Sequence, residues 1–250
     1  MTSSRFLIIN ADDVGLSPEV NQGIFAAHER GVITDSSLLI KRPHCTEAIE
    51  TIKNLPSFQV GIHLDLDPLL GWESPGGERF SRSQLREMMD DLGFVPKVKK
   101  EIDEQIRTFL DTGLTPSHLD THHHVHGFPQ IFEPLVEAMD RYGITALRFS
   151  KQGYSLMGRE DILVNAETAQ WMEETLRQRG IAHPHLLIDP LFPFSLHELP
   201  AGVTELMVHP SRGGDQWRQR DFEMIMDPKF RDTLHDEAIQ LIGFAEIDIP

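Results

Sequence analysis

One cysteine in 250 residues, Cys45, leaves no partner for an internal disulfide, which fits a reducing compartment. No run approaches the roughly 18–20 consecutive apolar residues that a membrane span needs. The N-terminus passes from Arg5 into FLII and then into acids. It lacks a basic stretch leading into an apolar segment of about 7–15 residues, so no signal peptide is expected and the setting reads as cytoplasmic, away from membranes. Basic residues are scarce, 23 Lys and Arg against 39 Asp and Glu. The resulting charge of −16 repels a phosphate backbone and argues against nucleic acid as a partner. The acid excess suits a neutral or cationic substrate, and equally serves solubility alone. GxGxxG and the P-loop pattern are missing, which weakens a nucleotide-binding reading. GxSxG is missing as well, and with it the serine elbow of the α/β-hydrolases.

What is present is an alternation. Short β-type runs, RFLIIN (5–10), SSLLI (36–40), QVGIHLDL (59–66), SHLDTHH (117–123), TALRFS (145–150), PHLLI (184–188) and TELMVHP (204–210), are separated by amphipathic stretches. In one of these Val20, Ile24, Phe25 and His28 recur at helical spacing before Gly31; in another Val98, Ile102, Ile106, Phe109 and Leu110 share a face. Strand–helix alternation along the whole chain predicts a parallel sheet covered by helices. About seven such units in 250 residues predict a single α/β domain over 1–250, a TIM-like (β/α) barrel, an irregular or seven-stranded form included. An open doubly wound sheet is the alternative. Pro and Gly between Asp67 and Phe80 mark a long loop at a strand's C-terminal end, where Trp72 either stacks on a sugar or folds onto Leu69 and Leu70.

Polar residues gather where the strands stop. The first run ends in NADDVG, with Asp12 and Asp13 adjacent; two neighbouring acids repel, which a bound cation or proton would explain, although one could simply cap a turn. The third ends in GIHLDLD, with His63 and Asp65 on one face by period two. His63 is a metal ligand or a backbone-bonded core histidine, and Asp65 its orienting partner or a solvated acid. SHLDTHHHVH packs five imidazoles and Asp120 into ten residues. Strand alternation predicts His118, Asp120, His122 and His124 on one face, and His122 with His126 can share an ion only if the chain turns helical. One ion with a position left for water cannot use all five. The last run ends in MVHP, which sets His209 at the strand's end before Pro210 forces a turn. Acids and imidazoles from four strand ends would meet at the mouth of a barrel.

These blocks, NADDVG, GIHLDL, THHHVH followed by FPQIF, and MVHP, resemble the YdjC-like family of carbohydrate deacetylases in order and spacing from Leu7 to Pro210. The resemblance implies a TIM-like barrel, a divalent metal ion and hydrolysis of an N-acetyl group from an amino sugar or oligosaccharide. It implies Asp13, His63 and His122 as metal ligands and Asp12 as the catalytic base. Val14 stands where the family usually has Phe, and Asp65 where a neutral residue is usual. Magnesium is the family's usual ion, whereas two imidazoles and a carboxylate suit zinc. His209 is the expected general acid, with His126 second, and Arg148 either orients Asp12 or makes a surface salt bridge. Another metallohydrolase, with Asp65 and His126 serving a second ion, and a non-catalytic sugar- or metal-binding protein are the rival readings. Oligomeric state is left open, a homodimer included.

Overall fold

A computed structural model of the chain describes residues 4–71, 87–91, 93–150 and 166–248. Trp72 and most of the Gly/Pro-rich loop lie outside them. Strand β1 (Arg5–Val14) is buried on both faces over most of its length, as its unbroken apolar run requires in a parallel sheet. Around it stand β2 (Asp35–Leu38), β3 (Gln59–Leu64), β4 (Leu119–Thr121), β5 (Leu186–Ile188) and β6 (Gly202–Val208), in the order β4-β3-β2-β1-β6-β5, all parallel. β7 (Ile239–Leu241) completes the seven, pairing with Arg5–Leu7 of β1 below the point where β2 begins.

The sheet curls until its edges meet. Parallel bridges join Leu119 to Leu147 and Ala146 to Ala182, so the 145–148 segment and the lead into β5 close the gap between β4 and β6. The expected barrel is therefore present in an irregular form. TALRFS supplies these bridges rather than a full strand, and β7 has no counterpart in the sequence reading.

Between the strands run α1 (Pro18–Glu29), α2 (Cys45–Lys53), α3 (Phe94–Asp111), α4 (Pro129–Tyr142), α5 (Ala166–Gln178), α6 (Gln216–Met226) and α7 (Pro228–Asp236). Local chemistry sets their ends. Ser17 caps α1 by accepting the Val20 N–H, and Gly143, at φ 69°, ends α4 in the left-handed turn that glycine adopts without strain. Among the described residues no helix is long and apolar enough to cross a membrane.

Apolar packing lies on two sides of the sheet. The larger core fills the space between strands and helices. A smaller one, with Ile8, Val203, Phe244 and Ile247, plugs the end of the barrel where the strands begin. Phe244 lies flat against His118 at 3.9 Å, and above this floor the interior turns polar.

Helix α1 lies against the turn that follows β6. A Cβ at Gly23 would stand 2.7 Å from Pro210 O and Ser211 Cα, both backbone atoms. Gly23→Ala is therefore expected to destabilise the fold by about 1–3 kcal/mol, despite alanine's better helix propensity. Urea unfolding measures this; an unchanged midpoint would show the turn to be pliable.

Candidate active site

Neighbouring residues on a regular strand point to opposite faces, yet Asp12 and Asp13 reach one site. The β1–β2 pairing slips between Ala11 and Val14, and Asp13 adopts φ 72°, a strained conformation for a residue with a side chain. Both carboxylates consequently face His63, whose Nε2 is 3.4 Å from Asp13 Oδ1 and 3.9 Å from Asp12 Oδ2.

His63 on β3 pairs in register with Asp120 on β4, and its Nδ1 lies 2.7 Å from Asp120 Oδ1. β4 stops at Thr121. A 3₁₀ turn with left-handed His123 and His124 follows, so the predicted alternation ends before His122. That turn brings His122 Nε2 to 3.7 Å from Asp13 Oδ1, while its Nδ1 lies 3.0 Å from Asp67 Oδ2. His123 Nδ1 lies equally close to the other Asp67 oxygen.

Acids and imidazoles stand near enough here to hold a metal ion: Asp12, His63 and Asp120 form one gathering, Asp67, His122 and His123 another. Hydrogen bonding sorts their roles. Asp120 and Asp67 are engaged at the Nδ1 faces of the histidines, which fixes those rings and leaves both Nε2 atoms aimed at Asp13. Asp13 Oδ1 is buried and lacks a hydrogen-bond partner. Bonds of about 2.0–2.2 Å in a tetrahedron separate ligand atoms by roughly 3.3–3.6 Å, close to the two spacings found. The donor chemistry thus fits a divalent cation, and Asp13, His63 and His122 are residues that could hold it.

Electrostatics keeps the acid at the centre ionised. Burial works against ionisation of Asp13, but His63, His122 and Arg218 outweigh it and hold the carboxyl well below its usual range. Burial likewise opposes a charge on His63, and Asp120, Asp13 and Asp12 override it, raising the imidazole well above its ordinary value.

Arg148 is fully buried among three carboxylates. Nη1 donates to Asp12 Oδ2 at 2.7 Å, Nη2 to Asp12 Oδ1 at 2.6 Å and Nε to Glu205 Oε1 at 2.8 Å. Asp120 Oδ2 also stands 2.7 Å from Nη1, an ion-pair contact. Asn10 Nδ2 adds a second bond to Asp12 Oδ1 and donates to Ser37 Oγ, which donates to Asp120. Asp12 Oδ1 is thereby saturated, and Oδ2 is the oxygen with capacity left. Burial pushes Glu205 up to about 7, against the pull of Arg148.

His209 follows β6 with Nε2 3.8 Å from Asp12 Oδ2. Asp221 accepts its backbone N–H at 2.9 Å and stands 3.7 Å from Nδ1, while Trp217 meets the ring edge-on. Arg218 donates from Nη2 to Asp13 Oδ2 at 2.6 Å.

The structure therefore gathers Asp12, Asp13, His63, His122 and His209 at one mouth. It separates two residues considered with them. Asp65 pairs with Arg42 at 2.6 Å rather than with His63, whose orienting acid is Asp120. His126 meets Thr121 Oγ1 at 2.7 Å, and burial pushes it down to about 3. Asp67, Glu205, Arg218 and Asp221 have no place in the sequence reading of the site, and Asp120, set there on the histidine face, was given no role. An acid inside the apolar run of β6 was a hint for Glu205.

Comparison with known proteins supplies a family context. The model of the family described as YdjC-like protein matches residues 6–236. A carbohydrate deacetylase of Enterococcus faecalis (strain ATCC 700802 / V583) is 36% identical, covering 98% of this chain and 99% of that protein. One of Halalkalibacterium halodurans is 37% identical over 88% of this chain and 94% of its own. A solved structure from Enterococcus faecalis V583, described as a candidate cellobiose-phosphate cleavage protein, superposes with TM-score 0.74 at 24% identity. It covers 97% of this chain and 98% of that one, a likeness of fold.

Proposed function

The chain belongs to the YdjC-like protein family, and from that premise we propose that it is a hydrolase removing the acetyl group from an N-acetylated amino sugar or oligosaccharide, with release of acetate. The observation that carries this reading is the convergence of Asp13 Oδ1, His63 Nε2 and His122 Nε2 beside an Asp12 held by Arg148. The whole of 1–250 acts as one catalytic unit. Its single free thiol, Cys45, supports a cytoplasmic setting.

Asp13, His63 and His122 would hold one divalent ion. Their chemistry favours zinc over magnesium, which prefers an all-oxygen shell. When bound, such an ion supplies a Lewis acid for the acetyl carbonyl and lowers the pKa of water towards about 7 for zinc. Asp12 Oδ2 accepts the proton of the attacking water. Arg148 and Asn10 keep that carboxylate from rotating, so its free lone pair stays aimed at the mouth. His209 Nε2 delivers a proton to the departing amine, with Trp217 packed edge-on against the ring. Asp65, neutralised by Arg42, and His126, turned to Thr121, give no support to a second ion and hence to a two-metal phosphoesterase.

The test is acetate release from N-acetylated chitooligosaccharides by chelated and then metal-reconstituted protein. Acetate only after reconstitution is expected. One bound ion with no acetate from any N-acetyl sugar would overturn the substrate class.

A further inference from the structure

The three donors at the metal centre are backed by charges of unequal sign. His63 and His122 each meet a carboxylate at Nδ1, an arrangement that strengthens an imidazole as a donor. Asp13 is backed by a cation. Arg218 Nη2 holds its Oδ2 at 2.6 Å, so only Oδ1 faces the histidines. The arginine is firmly seated: its side chain is 10% exposed, and its guanidinium carbon lies 4.5 Å from the ring centre of Trp217. Asp215, the other acid within reach, stands 4.0 Å away and is mostly exposed. Nη1 of Arg218 is buried without a hydrogen-bond partner, so the full charge is not met by Asp13 and Asp215.

We propose that Arg218 is a positioning residue that confines Asp13 to one donor oxygen and holds down the affinity of the centre for its ion, keeping the ion exchangeable. A carboxylate can otherwise grip a cation with both oxygens; here the second is taken. A buried unit charge beside a doubly charged ion also repels it, with little screening by solvent or salt. Both effects lower affinity. Each also leaves the ion less neutralised by its ligands and so more electrophilic. Arg218 sets affinity against reactivity in this centre, whereas Asp120 and Asp67 work to keep the ion.

This inference rests on the reading of Asp13, His63 and His122 as a metal centre, and the experiment separates the two. Zinc affinity is measured on the metal-stripped full chain by competition with a chromophoric chelator, with no substrate present. Arg218→Met and Arg218→Gln remove the charge at similar length and should bind zinc about tenfold more tightly, or better. Arg218→Lys keeps the charge and should stay within about threefold of the native chain. Equal or weaker binding in the neutral variants would overturn the proposal, because an arginine that merely braces Asp13 loosens the site when lost. If neither neutral variant folds, Trp217→Leu, which unseats the guanidinium, should tighten binding in its place, and failure to do so would count equally against it. A native chain that binds no zinc removes the metal centre itself, and this inference with it.

Discussion

Asp12→Asn should lower kcat for acetate release by about 10²–10⁴-fold while leaving zinc affinity close to native. The separation follows from the division of labour at the end of β1. Asp13 Oδ1 faces His63 and His122 at 3.4 and 3.7 Å, whereas both Asp12 oxygens are bonded to Arg148. An amide at position 12 keeps the shape but offers no lone pair on nitrogen to accept a proton from water. It also sets an N–H₂ against the Arg148 fork, so some loss of stability accompanies the loss of turnover and is read separately by thermal unfolding. KM should change little, because the substrate's binding contacts are not removed. A fall of less than tenfold would move the base elsewhere, and His209, whose Nε2 is 3.8 Å from Asp12 Oδ2, would be next. A large loss of zinc affinity would instead make Asp12 a ligand.

Much of this site could be read along the chain because strand ends in an α/β barrel share one mouth. Period-two reasoning placed His63, and the doubled acid of NADDVG marked the first strand's end. Two features were out of reach of periodicity. The β1 bulge at Asp13 depends on how β1 pairs with β2, and the sequence alone does not say that Asp12 and Asp13 point the same way. The turn at His122 likewise breaks an alternation that the residues themselves suggest, because left-handed His123 and His124 are held by tertiary contacts such as that of His123 with Asp67. Asp65 shows the converse. Its spacing makes it a plausible partner for His63, but an arginine 23 residues upstream, Arg42, claims it. Long-range pairings decide the second layer of this site: Asp13 with Arg218 and Asp12 with Arg148 join residues more than a hundred positions apart. No local pattern encodes the pairing of Asp13 with Arg218, whereas that of Arg148 with Asp12 was one of the two readings its place at the end of TALRFS offered.

Arg148→Met should cost more stability than any surface change, about 3–5 kcal/mol, equivalent to a drop of roughly 6–20 °C in Tm for a chain of this size. Among the described residues Arg148 is the cation paired with all three of these buried carboxylates, whereas His63 stands beside only Asp120 and Asp12. Replacing a whole buried ionic set by apolar groups is often harmless; removing only the cation leaves acids without compensation. The loss should depend on pH, with a sign that identifies its cause. Glu205 is pushed up to about 7 even with Arg148 beside it, against 4.5 for an ordinary glutamate. Without the arginine its value rises further, so the folded variant takes up a proton that the unfolded chain has already released at neutral pH. Folding then binds protons, and stability falls as pH rises through 4.5 and past 7. Arg148→Met should accordingly lie nearer the native chain at pH 5 than at pH 8, by chemical unfolding at the two values. A deficit independent of pH would assign the loss to packing around a shorter side chain and would leave the buried acids compensated by something other than Arg148.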